Sequence, residues 1–321
     1  IMNKFKAGIL TLCIGASVAS AETIEWTSGQ LGGSWFTMSA GIAKIIETNN
    51  NDLRIKVVPG GGVTNPSKIN KGRSQIGISV GPLAYLAGEG KDVYKNKPHS
   101  NISMIGMSLS DTKFHVIRAA DSQYTNIGDL LTKGKDQKIG ITKVGSSDEK
   151  IFSWIMKYYG TSYAKLKERG FDITFANVNE LSSQYKDGMT DYVVLNTGAP
   201  NGGVIDMLIS RDGEVTQLPN PLLSHLKSTY SMTDTSIEKG VYKGQNSDAS
   251  TANSAAIILV SNKLSTQTVY KMTKSICENQ STLPDVHASM KVFDCKTAVQ
   301  NRPVPAHPGA LKYYAEMGYV K

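Results

Sequence analysis

Four short clusters of glycine and hydroxyl-bearing residues carry the chemistry that this sequence offers. They lie at residues 32–36, 60–65, 145–147 and 197–199, each where a predicted strand gives way to a helix or loop. Glycine lets backbone N–H groups approach a ligand closely, and a helix N-terminus offers unpaired N–H donors with a partial positive charge. A single cluster is more often a tight turn with a helix cap. Four such clusters offer donors that suit a carboxylate or another small anion.

These clusters, together with two nearby positions, supply sixteen candidate ligand-binding residues. Gly81 follows the third predicted strand, and His115 lies in a strand at the predicted junction of two lobes, where a purely structural histidine is the alternative. The candidates are Gly32, Gly33, Ser34, Trp35, Phe36, Gly61, Gly62, Asn65, Gly81, His115, Gly145, Ser146, Ser147, Thr197, Gly198 and Ala199.

Patterns typical of enzymes do not accompany the clusters. The five histidines show no metal-ligand spacing with one another or with carboxylates. No P-loop lysine motif occurs. We therefore expect no catalytic residue, no metal and no cofactor.

Strands and helices alternate along the chain in a way that predicts a largely parallel sheet. Predicted strands cover residues 23–27, 54–58, 76–80, 102–107, 114–118, 138–141, 173–176, 192–195 and 255–260. Predicted helices cover residues 35–48, 65–71, 127–131, 148–159, 181–186, 268–278 and 310–317.

This order of elements predicts two α/β lobes joined by two crossing segments, with a cleft between the lobes. Residues 22–115 and 256–321 would form lobe I, and residues 116–255 would form lobe II. The crossings are expected near residues 114–118 and 255–260.

The charge balance argues against a nucleic-acid partner. The formal net charge of +8 comes from lysines scattered along the chain, without an aromatic and basic stripe. Such a surface exerts a mild attraction on anions.

The first 21 residues have the pattern of a cleaved secretory signal peptide. Lys4 and Lys6 precede an apolar stretch at residues 7–18, and Ala19-Ser20-Ala21 is a typical cleavage site. Cys13 raises the alternative of a lipoprotein, but Leu12 stands where a small residue is needed. We expect cleavage after Ala21 and export.

Export leaves Cys277 and Cys295 in the mature chain. An oxidising compartment favours a disulfide between them over two free thiols. Neither belongs to a Cys-x-x-Cys pair, so the bridge would be structural.

Five segments, spread over nearly the whole mature chain, resemble one family in this order. They are residues 32–36, 60–65, 186–191, 237–245 and the terminal run Pro-Val-Pro-Ala-His-Pro-Gly-Ala-Leu-Lys-Tyr-Tyr-Ala-Glu-Met-Gly at 303–318. The pattern resembles the TAXI-type solute-binding proteins of tripartite ATP-independent periplasmic (TRAP) transporters.

The resemblance implies a type II periplasmic-binding-protein fold in the periplasm. It implies capture of a small organic anion, usually a carboxylate, and delivery to the membrane permease subunits of a TRAP transporter. The alternatives are a secreted transferase or deaminase on the same two-lobed fold, and a binding protein that serves a sensor.

The chain also departs from the family pattern. Trp35 and Phe36 replace two tyrosines, Gly62 replaces a small hydroxyl residue, and residues 81–84 replace a common polar pair. These differences favour a less polar or larger solute than an amino acid.

Overall fold

The computed structural model describes residues 21–300 and 302–320. The predicted signal peptide lies outside them except for Ala21, so its cleavage stays a prediction. The described strands are β1 (Glu22–Thr27), β2 (Leu53–Val58), β3 (Ile76–Val80), β4 (Ile102–Gly106), β5 (Lys113–Ala119), β6 (Lys138–Thr142), β7 (Asp172–Ala176), β8 (Tyr192–Thr197), β9 (Gly213–Val215), β10 (Thr233–Ile237), β11 (Ala249–Asn253) and β12 (Ala256–Ser261).

The α-helices lie between and after these strands. They are α1 (Ser34–Asn49), α2 (Thr64–Asn70), α3 (Gly81–Glu89), α4 (Ile127–Lys133), α5 (Ser147–Tyr158), α6 (Tyr163–Glu168), α7 (Val178–Lys186), α8 (Gly202–Ser210), α9 (Asn220–Tyr230), α10 (Thr266–Glu278), α11 (Leu283–Val286) and α12 (Pro308–Glu316).

The first lobe is built on a five-stranded sheet in the order β2-β1-β3-β12-β4. Strand β1 runs parallel to β2 and β3, which places Ile24 beside Ile55 and Trp26 beside Ile76. Strand β12 runs antiparallel to both of its neighbours. Every residue of β3 and β12 is buried, as expected for central strands that are covered on both faces.

The second lobe is built on a seven-stranded sheet. Six strands follow the order β10-β11-β5-β8-β6-β7, and β9 pairs with β5 outside this path. Strand β6 is parallel to β7 and β8, whereas β5 is antiparallel to β8, β9 and β11.

Both sheets are mixed, so the prediction of a largely parallel sheet is wrong. Six of the ten strand pairings are antiparallel. The reason lies in the path of the chain between the lobes. Strands β5 and β12 each enter a sheet from the cleft, where the parallel strands end, and therefore run in the opposite direction.

The two crossing segments lie side by side and are hydrogen-bonded to each other. The amide of Leu109 donates to the carbonyl of Ala256 over 3.0 Å, and the amide of Ala256 donates to Ser110 over 3.1 Å. The amide of Ser254 donates to the carbonyl of Thr112 over 3.0 Å. A paired ribbon thus connects the lobes.

The positions of the crossings differ from the predicted ones. Residues 114–118 lie inside β5 and residues 256–260 inside β12, so both predicted crossings are sheet strands. The predicted lobe boundary after His115 divides β5, and the sheet pairing moves it to the segment before Lys113.

Helix positions follow from apolar spacing and from side-chain caps. Helix α1 buries Trp35, Met38, Ile42 and Ile46, which recur every three or four residues. In the second lobe, several helices begin at a residue whose side chain accepts a backbone N–H of the first turn. These capping residues are Asn126, Ser146, Ser162, Asn177 and Asn201.

The C-terminal part of the chain packs on the first lobe and is stabilised by a disulfide and a capped helix. The structure pairs Cys277, at the end of α10, with Cys295, with a Cα–Cα distance of 5.8 Å. Helix α12 begins at Pro308 behind His307, whose Nδ1 accepts the amide of Gly309 over 3.1 Å. Gly318 adopts a left-handed conformation with φ of 71° just after the helix, as a C-terminal cap requires.

Candidate functional site

A small cavity lies between the lobes at the carboxyl ends of the parallel strands. Its volume is about 30 Å³, which is room for roughly two water molecules. The first lobe contributes Gly29, Gln30, Gly33, Ser34, Trp35, Gly61 and Gly62. The second lobe contributes Thr142, Ser146, Ser147, Asp148, Val178, Leu195, Asn196 and Thr197.

The first-lobe wall contains the N-terminus of α1. The residue before this helix, Gly33, has no side chain to cap it, so the amides of the first turn lack a side-chain acceptor. Trp35 also borders the cavity. The side chain is 6% exposed, and its buried Nε1–H has no hydrogen-bond partner among the described residues. The donors that this wall offers are therefore the backbone amides at the start of α1.

The second-lobe wall contains the N-terminus of α5, but here a side chain caps the helix. The Ser146 hydroxyl accepts the amide of Glu149 over 3.1 Å and the hydroxyl of Thr142 over 2.6 Å. Both contacts occupy the oxygen of Ser146. Its side chain therefore orders the loop and the helix start, and the hydroxyl of Ser147 also lines the cavity.

The lobes contact each other directly around the cavity. The hydroxyls of Ser34 and Thr197 share a hydrogen bond of 2.9 Å, and Nδ2 of Asn201 donates to the Ser34 oxygen over 3.0 Å. The amides of Val63 and Thr64 donate to the carbonyl of Gly145 over 3.1 and 3.3 Å. The structure is therefore the closed form of the two lobes.

Glycine is required where the lobes touch. A Cβ atom on Gly61 would lie 2.5 Å from the carbonyl oxygen of Gly145, and one on Gly145 would lie 2.6 Å from a methyl carbon of Thr64. Gly145 also has a φ of 96°, in the region that favours glycine. Larger residues at either position would hold the lobes apart.

Asp148 is the one ionisable side chain among the residues that line the cavity. It is the second residue of α5, and its Oδ1 accepts the amide of Asn196 over 2.7 Å. Burial raises the pKa of Asp148 to about 6, against the lowering effect of hydrogen bonds from the Asn196 amide, its own amide and neighbouring hydroxyls.

Half of the sixteen predicted ligand-binding residues line this cavity. They are Gly33, Ser34, Trp35, Gly61, Gly62, Ser146, Ser147 and Thr197. The other eight do not, and they are Gly32, Phe36, Asn65, Gly81, His115, Gly145, Gly198 and Ala199.

Three residues of the second group make structural contacts outside the cavity. The Asn65 amide donates to the carbonyls of Ser28 and Ile78, both over 2.7 Å, and its oxygen accepts the amide of Gly61 over 3.0 Å. It therefore shapes the second glycine loop from behind. Gly145 contributes its carbonyl to the contact between the lobes, and Gly81 packs against Met107.

His115 lies within the second sheet, away from the cavity, and is fully buried. Its Nδ1 contacts the carbonyl of Lys113 at 2.8 Å, and its Nε2 contacts the hydroxyl of Tyr242 at 3.0 Å. Burial lowers the pKa of His115 to about 4. His115 is thus a neutral histidine within the core. The sequence analysis gave this structural role as the alternative to ligand binding.

Seven residues of the cavity were not predicted: Gly29, Gln30, Thr142, Asp148, Val178, Leu195 and Asn196. Thr142 and Asn196 end strands β6 and β8, so a search at the carboxyl ends of strands would have found them. Gln30 reaches the second glycine loop through its amide, which donates to the carbonyl of Gly60 over 2.8 Å.

Two further properties concern the described residues only. Among residues 21–300 and 302–320, no group of three or more His, Cys, Asp or Glu side chains is arranged to hold a metal ion. No helix in this part of the chain has the length and apolar character needed to cross a membrane.

Comparison with known families agrees with this architecture. A family model described as the NMT1-like family matches residues 27–318. The chain belongs to the NMT1-like family. The match spans both lobes and ends at the glycine that caps α12, so this NMT1-like chain carries the family pattern over nearly all of the described residues.

Solved structures share the fold of this NMT1-like protein at low sequence identity. The periplasmic binding protein BugD aligns with a TM-score of 0.55 and 12% identity, covering 92% of this chain and 94% of that chain. A putative phosphate ABC transporter substrate-binding protein from Clostridium perfringens, with bound phosphate, aligns with a TM-score of 0.52 and 14% identity, covering 85% and 99%. The predicted two-lobed periplasmic-binding-protein fold is confirmed.

Proposed function

We propose that this NMT1-like protein is the periplasmic solute-binding subunit of a TRAP-type transporter, and that it binds a small carboxylate. The observation that carries the proposal is the cavity between the lobes, where the first residues of α1 and α5 meet. A site on such a fold at the carboxyl ends of strands is a usual place for ligands.

The donors of the cavity support an anionic solute. Ser34 and Trp35 begin α1, and Ser147 begins α5, so both helix N-termini border the same space. Helix N-termini bind carboxylates through free amides and the helix dipole. No lysine, arginine or histidine lines the cavity, so amides and hydroxyls would hold the anion.

The size of the cavity supports a binding cycle of opening and closing. About 30 Å³ is too little for a solute of more than a few atoms, so the lobes must separate to admit one. A solute between the lobes would be contacted from both sides in a closed form with a larger cavity than this one, and binding would shift the population toward that form.

Delivery to a TRAP permease rests on the resemblance of five segments to TAXI-type proteins. The terminal segment has a structural explanation as well, because His307 caps α12 and Gly318 ends it. Export through the signal peptide would place the protein where such a permease collects its solute.

The proposal can be tested with mature protein purified from the periplasm. Native mass spectrometry should detect a co-purified acid, and a thermal-shift screen of acetate, succinate, 2-oxoglutarate and L-glutamate should give at least one stabilising carboxylate. Small-angle scattering with that compound should show compaction relative to protein stripped of solute. If no carboxylate binds and no acid co-purifies, the proposal is wrong.

A further inference from the structure

The buried carboxyl group of Asp148 lies where its charge would act on any anion that enters the cavity. Asp148 is 9% exposed and lines the space between the lobes. Its Oδ1 accepts the Asn196 amide over 2.7 Å, and the Ser147 hydroxyl lies 3.3 Å from Oδ2. Its own amide and the Thr142 hydroxyl also contribute hydrogen bonds, so every partner of this buried carboxyl is a neutral group.

Charged groups on the surrounding elements do not neutralise Asp148. On α5, Lys150 pairs with Asp92 at 2.9 Å, and the loop before α5 carries Lys143 on the exposed surface. Glu149, also on α5, is a second acid. The lining residues of β8 and of the first lobe include no ionisable side chain.

A carboxylate solute would therefore bring a second negative charge into a buried space that already contains one. Two carboxylates that share a site in a low dielectric do not both remain ionised, and one of them takes up a proton. Asp148 is poised to be that group, because burial already raises its pKa to about 6.

We propose that Asp148 binds the solute as a neutral acid, so that each anion captured by the closed lobes is accompanied by one proton. The proton comes from solvent and bonds to the carboxylate of Asp148. The resulting O–H donates to a carboxylate oxygen of the solute. This inference rests on the proposed function, since it requires an anionic solute.

A neutral acid in this position would also select among solutes. It offers a hydrogen-bond donor to an acceptor oxygen of the solute, so it favours solutes that place an oxygen there. Asp148 replaces the cation that other anion sites use, without adding a permanent positive charge to the cavity. The binding of a carboxylate should then weaken as the pH rises above neutrality.

Isothermal titration calorimetry measures this proton directly. Succinate, 2-oxoglutarate and L-glutamate are titrated into wild-type protein at pH 7.5 in Tris and in triethanolamine, two cationic buffers with different ionisation enthalpies. We expect uptake of close to one proton per bound carboxylate. We also expect affinity to fall about tenfold per pH unit between pH 7 and 8.5.

The variant Asp148→Asn keeps an acceptor for the Asn196 amide and resembles the protonated acid. It should bind the same carboxylate without proton uptake, with an affinity that is flat across this pH range and at least equal to wild type at pH 8.5. Asp129→Asn, which removes an acid from the surface of α4, should behave as wild type.

The wild-type titration decides the question even if the variant folds poorly. Carboxylate binding without proton uptake, or an affinity that rises with pH, would overturn the role of Asp148 while leaving the proposed function intact. If none of the carboxylates binds, the proposed function fails, and this inference with it.

Discussion

The hydroxyl of Ser34 in the first lobe and that of Thr197 in the second share a hydrogen bond of 2.9 Å across the cleft. Asn201 adds a second bond to Ser34 at 3.0 Å. Ser34 was expected to bind solute, yet here it joins the lobes. Ser34, which was predicted to donate a hydrogen bond to the ligand, thus also stabilises the closed form.

Ser34→Ala should shift the protein toward the open form. It removes two hydrogen bonds between the lobes, each worth about 1 kcal/mol, so the ratio of open to closed molecules should rise at least several-fold. Small-angle scattering without solute should show a larger radius of gyration. Ser39→Ala is the control, because Ser39 bonds to Ser28 within the first lobe. Equal expansion in both variants would contradict the assignment.

A second contact between the lobes involves Asp92, which adopts a left-handed φ of 52°. Lys150 pairs with its carboxylate at 2.9 Å, and the indole of Trp154 donates to it over 3.2 Å. Asp92→Asn keeps a residue that tolerates this conformation and removes the charge.

Because Asp92 is partly exposed, we expect its replacement by asparagine to cost the closed form only about 0.5–1 kcal/mol. The expansion seen by scattering should be clear at low salt and small at high salt, where the wild-type ion pair is screened. Asp129→Asn removes a pair with Lys133 inside the second lobe and should cause no expansion. A salt-independent effect of Asp92→Asn would argue against the ion pair.

The indole N–H of Trp35 is buried and lacks a partner among the described residues, and we expect it to become available to the solute when the lobes separate. Trp35→Phe should weaken carboxylate binding about tenfold or more, since a hydrogen bond to a charged group is worth about 1.5–3 kcal/mol. Trp26→Phe is the matched control, because the Trp26 N–H also lacks a partner among the described residues but does not line the cavity. Calorimetry should show normal affinity for Trp26→Phe. Normal affinity in both variants would place the Trp35 N–H outside the site.

His115 should make the protein less stable in acid. Its pKa is about 4 in the folded state and 6.5 as a free side chain, so the unfolded state binds more protons between these values. The free energy of unfolding should therefore fall by about 3 kcal/mol from this group as pH drops from 7 to 4. Urea unfolding should show a flatter pH dependence for His115→Gln. An unchanged profile would mean that other groups dominate acid unfolding.

The disulfide should stabilise the fold without affecting binding. Cys277 and Cys295 are 18 residues apart, and removing a bridge that closes a loop of this size should cost about 3 kcal/mol. The double variant Cys277→Ser and Cys295→Ser should unfold at a lower temperature but bind carboxylate normally, because neither residue lines the cavity. Two free thiols in unfolded, unreduced wild-type protein would show that the bridge does not form.

Most strands and long helices could be predicted because each carries a strong local pattern. The apolar run of β3 and the three-to-four spacing of α1 are examples. Strands β10 and β11 were not predicted, because their sequences, Thr-Asp-Thr-Ser-Ile and Ala-Ser-Thr-Ala-Asn, lack an apolar run. Helix α3 was missed because it opens with Gly81 and Pro82, which suggested a loop.

The site was predicted only where a glycine loop marked it. Gly61 and Ser147 were found in this way, whereas Asp148 was overlooked because an acid at a helix start usually serves the helix dipole. Ser146 was predicted as a binding residue, and its hydroxyl also caps α5, so we expect Ser146→Ala to lower the stability of the fold. The contact of Ser34 with Thr197 joins residues 163 positions apart, and no local pattern reveals such a pairing.

The position of β12 has a consequence for the order in which the protein folds. This strand lies between β3 and β4 in the middle of the first sheet, yet it follows them by about 150 residues that build the whole second lobe. Residues 21–106 alone therefore lack the strand that joins β3 to β4 in the sheet. The second lobe is one uninterrupted stretch of chain and can collapse by itself. Strands β3 and β4 therefore gain their pairing with β12 only after the chain of the second lobe has been made.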